Sequence, residues 1–230
     1  MQQLRRLLGK LYRSYGFYWD LKSLTQAKAM ASIAPISEFW QDGEVIAASL
    51  APYIGRDAVV LDFGCGIGRI ARFIAPQCRE IWCVDASSQM LKLASEALRG
   101  LGNVRFQKAK GTRVPLGDAK FDFAYSILTL QHMEKEDAYV ALREIQRVMK
   151  IGAWGYFTFP NFLSDEYFTG FLQTAENPDL NPIRVRLYTP EEVEKMLTSL
   201  GFKVVRLWNP NSALKRPDEI TPLVEKQEPS

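Results

Sequence analysis

Val60-Leu61-Asp62-Phe63-Gly64-Cys65-Gly66-Ile67-Gly68-Arg69 is the stretch that decides the fold. AVVLDF at 58–63 is almost wholly apolar, as in a strand covered on both faces. Glycines at 64, 66 and 68 then permit a tight turn and let a ligand lie against bare backbone. A segment with Ile67, Ile70, Ala71 and Ile74 at helical spacing begins at once and is stopped by Pro76. Amides at the start of such a helix point toward polar groups of a ligand. Strand, glycine turn and helix in direct succession predict the first crossover of an α/β fold.

Twenty-one residues past Gly64, Asp85 stands at the tip of a second strand, EIWCVD at 80–85. A carboxylate there can accept both hydroxyls of a ribose, and charge-assisted bonds of this kind contribute about 1.5–3 kcal/mol each. Nicotinamide and flavin sites share that arrangement but require G-x-G-x-x-G. Arg69 occupies the third glycine position, and the sequence reads G-x-G-x-G instead. A lone glycine pattern is a weak signal. Buried strand, three glycines, amphipathic helix, second strand and terminal acid together disfavour a purely structural turn.

The rhythm continues to the end of the sheet. Ser87 caps a helix with Met90, Leu91, Ala94, Ala97 and Leu98 on one face. NVRFQ at 103–107 and FDFAYSI at 121–127 read as strands three and four. The next helix carries Ala138, Leu142, Ile145 and Met149, with Gly152 as its stop, and AWGYFTF at 153–159 is strand five. Thr189-Pro190-Glu191-Glu192 is a capping box with proline at the first helical position, and FKVVRLW at 202–208 is strand six. Such alternation predicts a Rossmann-like, doubly wound, mostly parallel α/β sheet, with ligands beyond the carboxyl ends of the strands.

Outside the rhythm, residues 1–57 form an N-terminal helical cap, 161–188 an insertion, and 211–230 a flexible tail rich in proline and charge. ITPLVEK at 220–226 is a poor candidate for a seventh strand. Arg5, Arg6, Lys10 and Arg13 with Leu4, Leu7, Leu8 and Leu11 suggest a helix packed on the domain rather than a membrane-surface helix or transit peptide. Tyr12, Tyr15, Phe17, Tyr18 and Trp19, with Phe39 and Trp40, read as core before lid.

The totals narrow the function. A chain of 230 residues with 47% hydrophobic and 24% charged residues is ordinary for a soluble domain, and a net charge of +3 gives no reason to expect nucleic acid. No uncharged apolar run reaches the roughly 20 residues of a membrane helix. Three cysteines, at 65, 78 and 83, indicate a reducing, cytoplasmic compartment, and a single histidine without C-x-x-C argues against a metal site.

VVLDFGCGIGRIARFIA resembles the first motif of class I S-adenosylmethionine-dependent methyltransferases, and WCVDASSQML is similar to their second. FDFAYSILTLQHM resembles their strand-four motif, and LREIQRVMKIGAWGYFT the helix and strand that close the core. The resemblance covers residues 58–160 in order and implies that 58–210 is an S-adenosylmethionine-binding domain of this fold. It implies a transfer of the methyl group to a small-molecule acceptor, with oxygen, nitrogen and carbon all open as the atom methylated. Carried over by position, Gly64, Cys65, Gly66 and Gly68 face the methionine and ribose portions of the cofactor. Asp62 orients the turn or reaches the amino group, and Asp85 binds the ribose. Ala86 and Met90 border adenine, Gly111 and Thr112 meet its edge, and Leu128 touches the cofactor's far side.

Three features depart from the family's pattern. Lys108-Ala109-Lys110-Gly111 stands where many relatives place an acid for the adenine amino group, and a lysine cannot accept that bond. Lys150-Ile151-Gly152-Ala153 replaces the usual K-P-G-G, and strand seven is not evident. His132 is the only conventional neutral-pH base in the chain. Its setting, hydrophobic-Q-H, is common in the family whatever the substrate, so no catalytic base is assigned. Ser126-Ile127-Leu128-Thr129 lacks the Asn/Asp-Pro-Pro-aromatic motif of amino-directed nucleic-acid enzymes. A non-catalytic or degenerate binding protein of the same fold is the alternative reading, and a dehydrogenase the third.

Overall fold

A computed structural model of the chain describes residues 15–22, 36–177, 185–207 and 218–228. The leucines at 4, 7, 8 and 11 lie outside those residues. Two compact units follow one another, Met1–Leu116 and Gly117–Ser230.

The first unit holds α1 (Tyr15–Lys22), α2 (Ile36–Leu50), β1 (Val59–Phe63), α3 (Ala71–Ile74), β2 (Glu80–Asp85), α4 (Ser88–Ala97) and β3 (Val104–Lys108). All five residues of β1 are buried, the reason its sequence shows no polar alternation. β1 pairs parallel with β2, Asp62 opposite Cys83, and β2 pairs parallel with β3, Asp85 opposite Lys108. The Ser87 hydroxyl accepts the Met90 N–H at 3.0 Å and caps α4 as the sequence predicts.

The helix after the glycine turn starts later than expected. Residues 66–70 are turns, and regular helix spans only Ala71–Ile74 before a 3-10 turn at Ala75–Gln77. Gly66 and Gly68 have φ of 53° and 83°, a left-handed backbone that no helix can include. The expectation of a helix beginning immediately past the turn therefore does not hold.

The second unit holds β4 (Phe121–Ser126), α5 (Lys135–Val148), β5 (Met149–Phe157), β6 (Phe159–Pro160), α6 (Asp165–Glu176), α7 (Pro190–Ser199), β7 (Phe202–Arg206), β8 (Glu219–Ile220) and β9 (Leu223–Lys226). β4 pairs parallel with β5, while β9 lies antiparallel between β5 and β7. β6 and β8 make a separate two-stranded ribbon. The Thr189 capping box is present with both of its bonds, opening α7. The seven longer strands belong to one mostly parallel sheet, the doubly wound class read from the sequence.

Two expectations are corrected here. β5 begins at Met149, not 153, because α5 ends at Val148 and Lys150-Ile151-Gly152-Ala153 forms a bulge. Its register jumps from Phe121↔Met149 to Phe123↔Trp154, with Gly152 at φ 76° inside the extra residues. The segment read as a flexible tail supplies β8 and the missing strand, β9. β9 escaped the sequence reading because it is four residues long, follows Pro222 and carries two charges. Lys226 is only 9% exposed, and its Nζ donates to the carbonyls of Gln146 and Met149 at 2.8 Å each, closing the end of α5. A buried lysine is tolerated because those carbonyls meet it.

Candidate functional site

The turn at 64–68 is folded onto the end of β2. The N–H groups of Gly64 and Cys65 both donate to the Val84 carbonyl, at 2.7 and 3.1 Å. The Gly66 N–H donates to Asp85 Oδ2 at 2.9 Å, and the Ser87 N–H to Asp85 Oδ1 at 2.8 Å. The amides of 64–66 are thus bonded within the protein, and the turn presents its bare glycine surface rather than a set of donors. At Gly66 a Cβ would meet nothing within 4 Å, so open space borders the turn there. At Gly68 a Cβ would lie 2.7 Å from Leu98, which binds this glycine closely to the unit's interior.

Asp85 faces the turn, as its position past the glycines predicts. Burial of its carboxyl group pushes the pKa up from 3.8 to about 6, the nearby Asp20 carboxylate adds to this, and the donated N–H bonds oppose it. Asp62 is buried in β1 at 3% exposure. Cys65 is buried too, and its thiol is pushed well above its ordinary value, chiefly by burial, which makes it unreactive.

Further site residues fall in the same unit. Ala86 follows Asp85 directly, and Met90 is 5% exposed in an apolar cluster with Phe39, Ile67 and Leu93, against which Trp19 and Trp40 pack. Of the N-terminal aromatics, Phe39, Trp19 and Trp40 thus join this cluster and Phe17 stays 56% exposed, while Tyr12 and the side chain of Tyr18 lie outside the described residues. Gly111 and Thr112 form the tip of a tight turn closed by the Lys110 and Arg113 backbones, which exchange bonds of 3.1 and 3.2 Å. Lys110 is exposed.

Leu128 belongs to the second unit. It holds φ 57°, and its N–H donates to Thr158 Oγ1 at 2.9 Å. A left-handed leucine is costly, and this bond helps to fix it. His132 closes the 3-10 turn Leu130–His132, half-buried.

Two features escaped the sequence reading. Asp20 on α1 accepts from the Ser87 hydroxyl at 2.5 Å and from the Gln89 N–H at 3.0 Å, a second cap on α4 from a distant helix. Burial opposes its ionisation, but those bonds and Lys108 outweigh it and hold the carboxyl below its usual value. α1 lies so close that a Cβ on Gly16 would overlap the Ala86 carbonyl oxygen. The only signal was an acid closing an aromatic run. Arg69, noted above only for replacing a glycine, is 6% exposed, ion-paired with Asp42 of α2, and set 5.3 Å over the Phe39 ring. A side chain at Gly43 would overlap the Arg69 backbone, so α2 packs directly on the turn's exit.

Comparison with known proteins bears on this geometry. Residues 60–152 match a family described as a methyltransferase domain. An O-methyltransferase of Pyrenophora dematioidea is 30% identical over 150 residues, covering 64% of this chain and 54% of that protein. A ubiquinone/menaquinone biosynthesis C-methyltransferase of Rubrivivax gelatinosus is 29% identical over 151 residues, covering 66% and 53%. The chain spans about half the length of the curated relatives it matches. Among solved structures, the YcgJ protein of Bacillus subtilis superposes with a TM-score of 0.62 at 20% identity, over 82% of this chain and 99% of that one. A magnesium protoporphyrin IX methyltransferase from Synechocystis, solved with bound S-adenosylhomocysteine, gives 0.63 at 18% identity, over 82% and 83%. These likenesses show the fold.

Proposed function

We propose that this chain, whose residues 60–152 match a methyltransferase-domain family, is an enzyme that binds S-adenosylmethionine and methylates a small-molecule acceptor. The observation that carries this reading is the meeting of Asp85 with the glycine turn through the 2.9 Å bond from Gly66. A carboxylate has about four acceptor positions. The neighbouring amides use some of them, and the remaining capacity suits a ribose hydroxyl. The open side of Gly66 leaves room for a ligand beside the backbone.

In this reading Asp85 binds the ribose, and Gly64, Cys65, Gly66 and Gly68 border the ribose and methionine portions. Asp62 steadies the turn from below. Ala86 and Met90 flank the base, and Gly111 with Thr112 meets its edge through backbone groups, since the side chain of Lys110 cannot accept from it. The bound cofactor supplies a methyl group on a cationic sulfur, and the protein's share is to hold it in line with the acceptor. Positioning of this kind lowers a barrier by about 7–11 kcal/mol. The acceptor is a small molecule, as names among the relatives suggest.

Among the described residues no helix is long and apolar enough to cross a membrane. Cys65, Cys78 and Cys83 are all free thiols, which supports a cytoplasmic setting for the enzyme. Calorimetry with S-adenosylhomocysteine tests the core of the proposal. Binding that weakens on the order of tenfold or more in Asp85→Ala is the expected result. Absence of binding at millimolar ligand would overturn it.

A further inference from the structure

A buried carboxylate lies in the second unit, far in sequence from every residue assigned above. Glu219, in the β6–β8 ribbon, is 1% exposed, and the Tyr167 hydroxyl of α6 donates to its Oε1 at 3.2 Å. Thr221, two residues on, is also 1% exposed, and its Oγ1 has no hydrogen-bond partner among the described residues. A buried polar group without a partner costs about 1–3 kcal/mol and calls for an explanation.

The register gives these two side chains a common direction. Phe159 pairs with Ile220, both fully buried, and Pro160 with Glu219. Glu219 and Thr221 flank Ile220 and so lie on the opposite face from it. The ribbon follows the carboxyl end of β5: the Thr158 N–H donates to the Ser126 carbonyl, and Thr158 Oγ1 holds the left-handed Leu128. That end of an α/β sheet is where ligands bind.

Glu219 is covered there by an element that contributes nothing to the core. No residue of α6 is buried, and Phe168, Phe171 and Leu172 are 41%, 47% and 46% exposed. Tyr167 reaches inward from it to the carboxylate, while Phe162, Phe168 and Phe171 stack beside it at 5.5–6.1 Å between centroids. A helix with so little buried surface is cheap to displace.

We infer that Glu219 and Thr221 form a site for the hydroxyl of a small-molecule ligand, and that the phenol of Tyr167 occupies the ligand's place. The site is built from the second unit alone, and its ligand class is a hydroxyl compound with an aromatic or otherwise apolar body. The subsite already holds a phenol of that description. A ligand without an O–H donor does not fit, because Oε1 of Glu219 accepts the proton that Tyr167 now donates. The ligand's O–H replaces that of Tyr167 on Glu219, Thr221 gains the partner it lacks, and the aromatic trio covers the apolar body.

The test uses the full chain loaded with S-adenosylhomocysteine, and 4-methylphenol as the probe, since it reproduces the tyrosine side chain. Saturation-transfer NMR and calorimetry should show 4-methylphenol binding, with no binding of toluene or 4-methylbenzoate. Glu219→Gln and Thr221→Val should each weaken it, the former on the order of tenfold, and Thr221→Ser should retain it. Tyr167→Phe removes the competing hydroxyl and should strengthen binding. No 4-methylphenol binding at millimolar concentration, equal binding of toluene or 4-methylbenzoate, or affinity unmoved in Thr221→Val and Tyr167→Phe would each overturn the inference. If Glu219→Gln does not fold by circular dichroism, the two conservative variants decide. Intact S-adenosylhomocysteine binding with a failed probe overturns this subsite alone, whereas loss of the former in the unaltered protein overturns the methyltransferase reading.

Discussion

Gly66 and Asp85 are joined across nineteen residues by one bond, from the Gly66 amide to Oδ2 of the carboxylate at 2.9 Å. The bond fixes the turn against the tip of β2, and in the proposed function it also ties ligand binding to the ionisation of one acid. Burial raises that acid to about 6.

The first prediction is a pH dependence with two opposite signs. A ribose hydroxyl is best accepted by the ionised carboxylate, so S-adenosylhomocysteine affinity should fall as pH drops below about 6, approaching tenfold per unit. Folding responds the other way. The folded form holds its proton more tightly than the unfolded chain, whose carboxyl titrates near 3.8. The Asp85 contribution to stability therefore rises as pH falls from about 6 toward 3.8, and is lowest above about 6. Calorimetry at about pH 5 and pH 7.5 should show the affinity loss in the parent protein and not in Asp85→Asn; equal slopes would refute it.

A second prediction concerns Asp20. Asp20→Ala removes the acceptor for the Ser87 hydroxyl and the Gln89 amide. A lost cap costs about 1 kcal/mol, readable as a lower denaturant midpoint. Because Asp20 also raises Asp85, the pH midpoint for S-adenosylhomocysteine binding should move downward in the variant. A purely structural role for Asp20 would leave that midpoint in place.

Arg69 and Asp42 offer a third. Breaking a buried pair from one side costs about 3–5 kcal/mol. The lower end applies here, since the Asp42 side chain keeps 25% of its surface exposed. Asp42→Ala, which strands the 7%-exposed Arg69 charge, should therefore be more destabilising than Arg69→Ala, and the double variant less so than the sum of the two. Additive effects in urea unfolding would show that the pair contributes nothing of its own.

Lys226 gives the fourth. Lys226→Ala removes the ammonium donor to the Gln146 and Met149 carbonyls, the first of which keeps the Met149 N–H. Bonds to charged groups contribute about 1.5–3 kcal/mol each. The unfolding midpoint should fall accordingly, with hydrogen exchange accelerated first in the last turn of α5.

Much of the fold was legible because burial writes itself into composition. β1, with every residue buried, appears as an unbroken apolar run, and the Thr189 box announces α7 through local chemistry alone. The place of Asp85 against the turn was legible because it depends on distance from the glycines. What escaped depends on partners distant in sequence. Asp20 and Arg69 matter through Ser87 and Asp42, and no local pattern pairs them. β9 escaped for a related reason: its lysine suits a buried strand only because α5 ends beside it. The glycine turn misled in one respect, since the left-handed residues that shape it also delay the helix.

The position of β9 fixes an order of assembly. β7 reaches β5 only through β9, so the outer part of the second unit cannot close until the residues through 226 have emerged from the ribosome. Until then β5 presents an unpaired edge, the kind of surface that invites association with other chains. A nascent chain stalled before residue 219 should therefore depend on chaperones in a way the released protein does not.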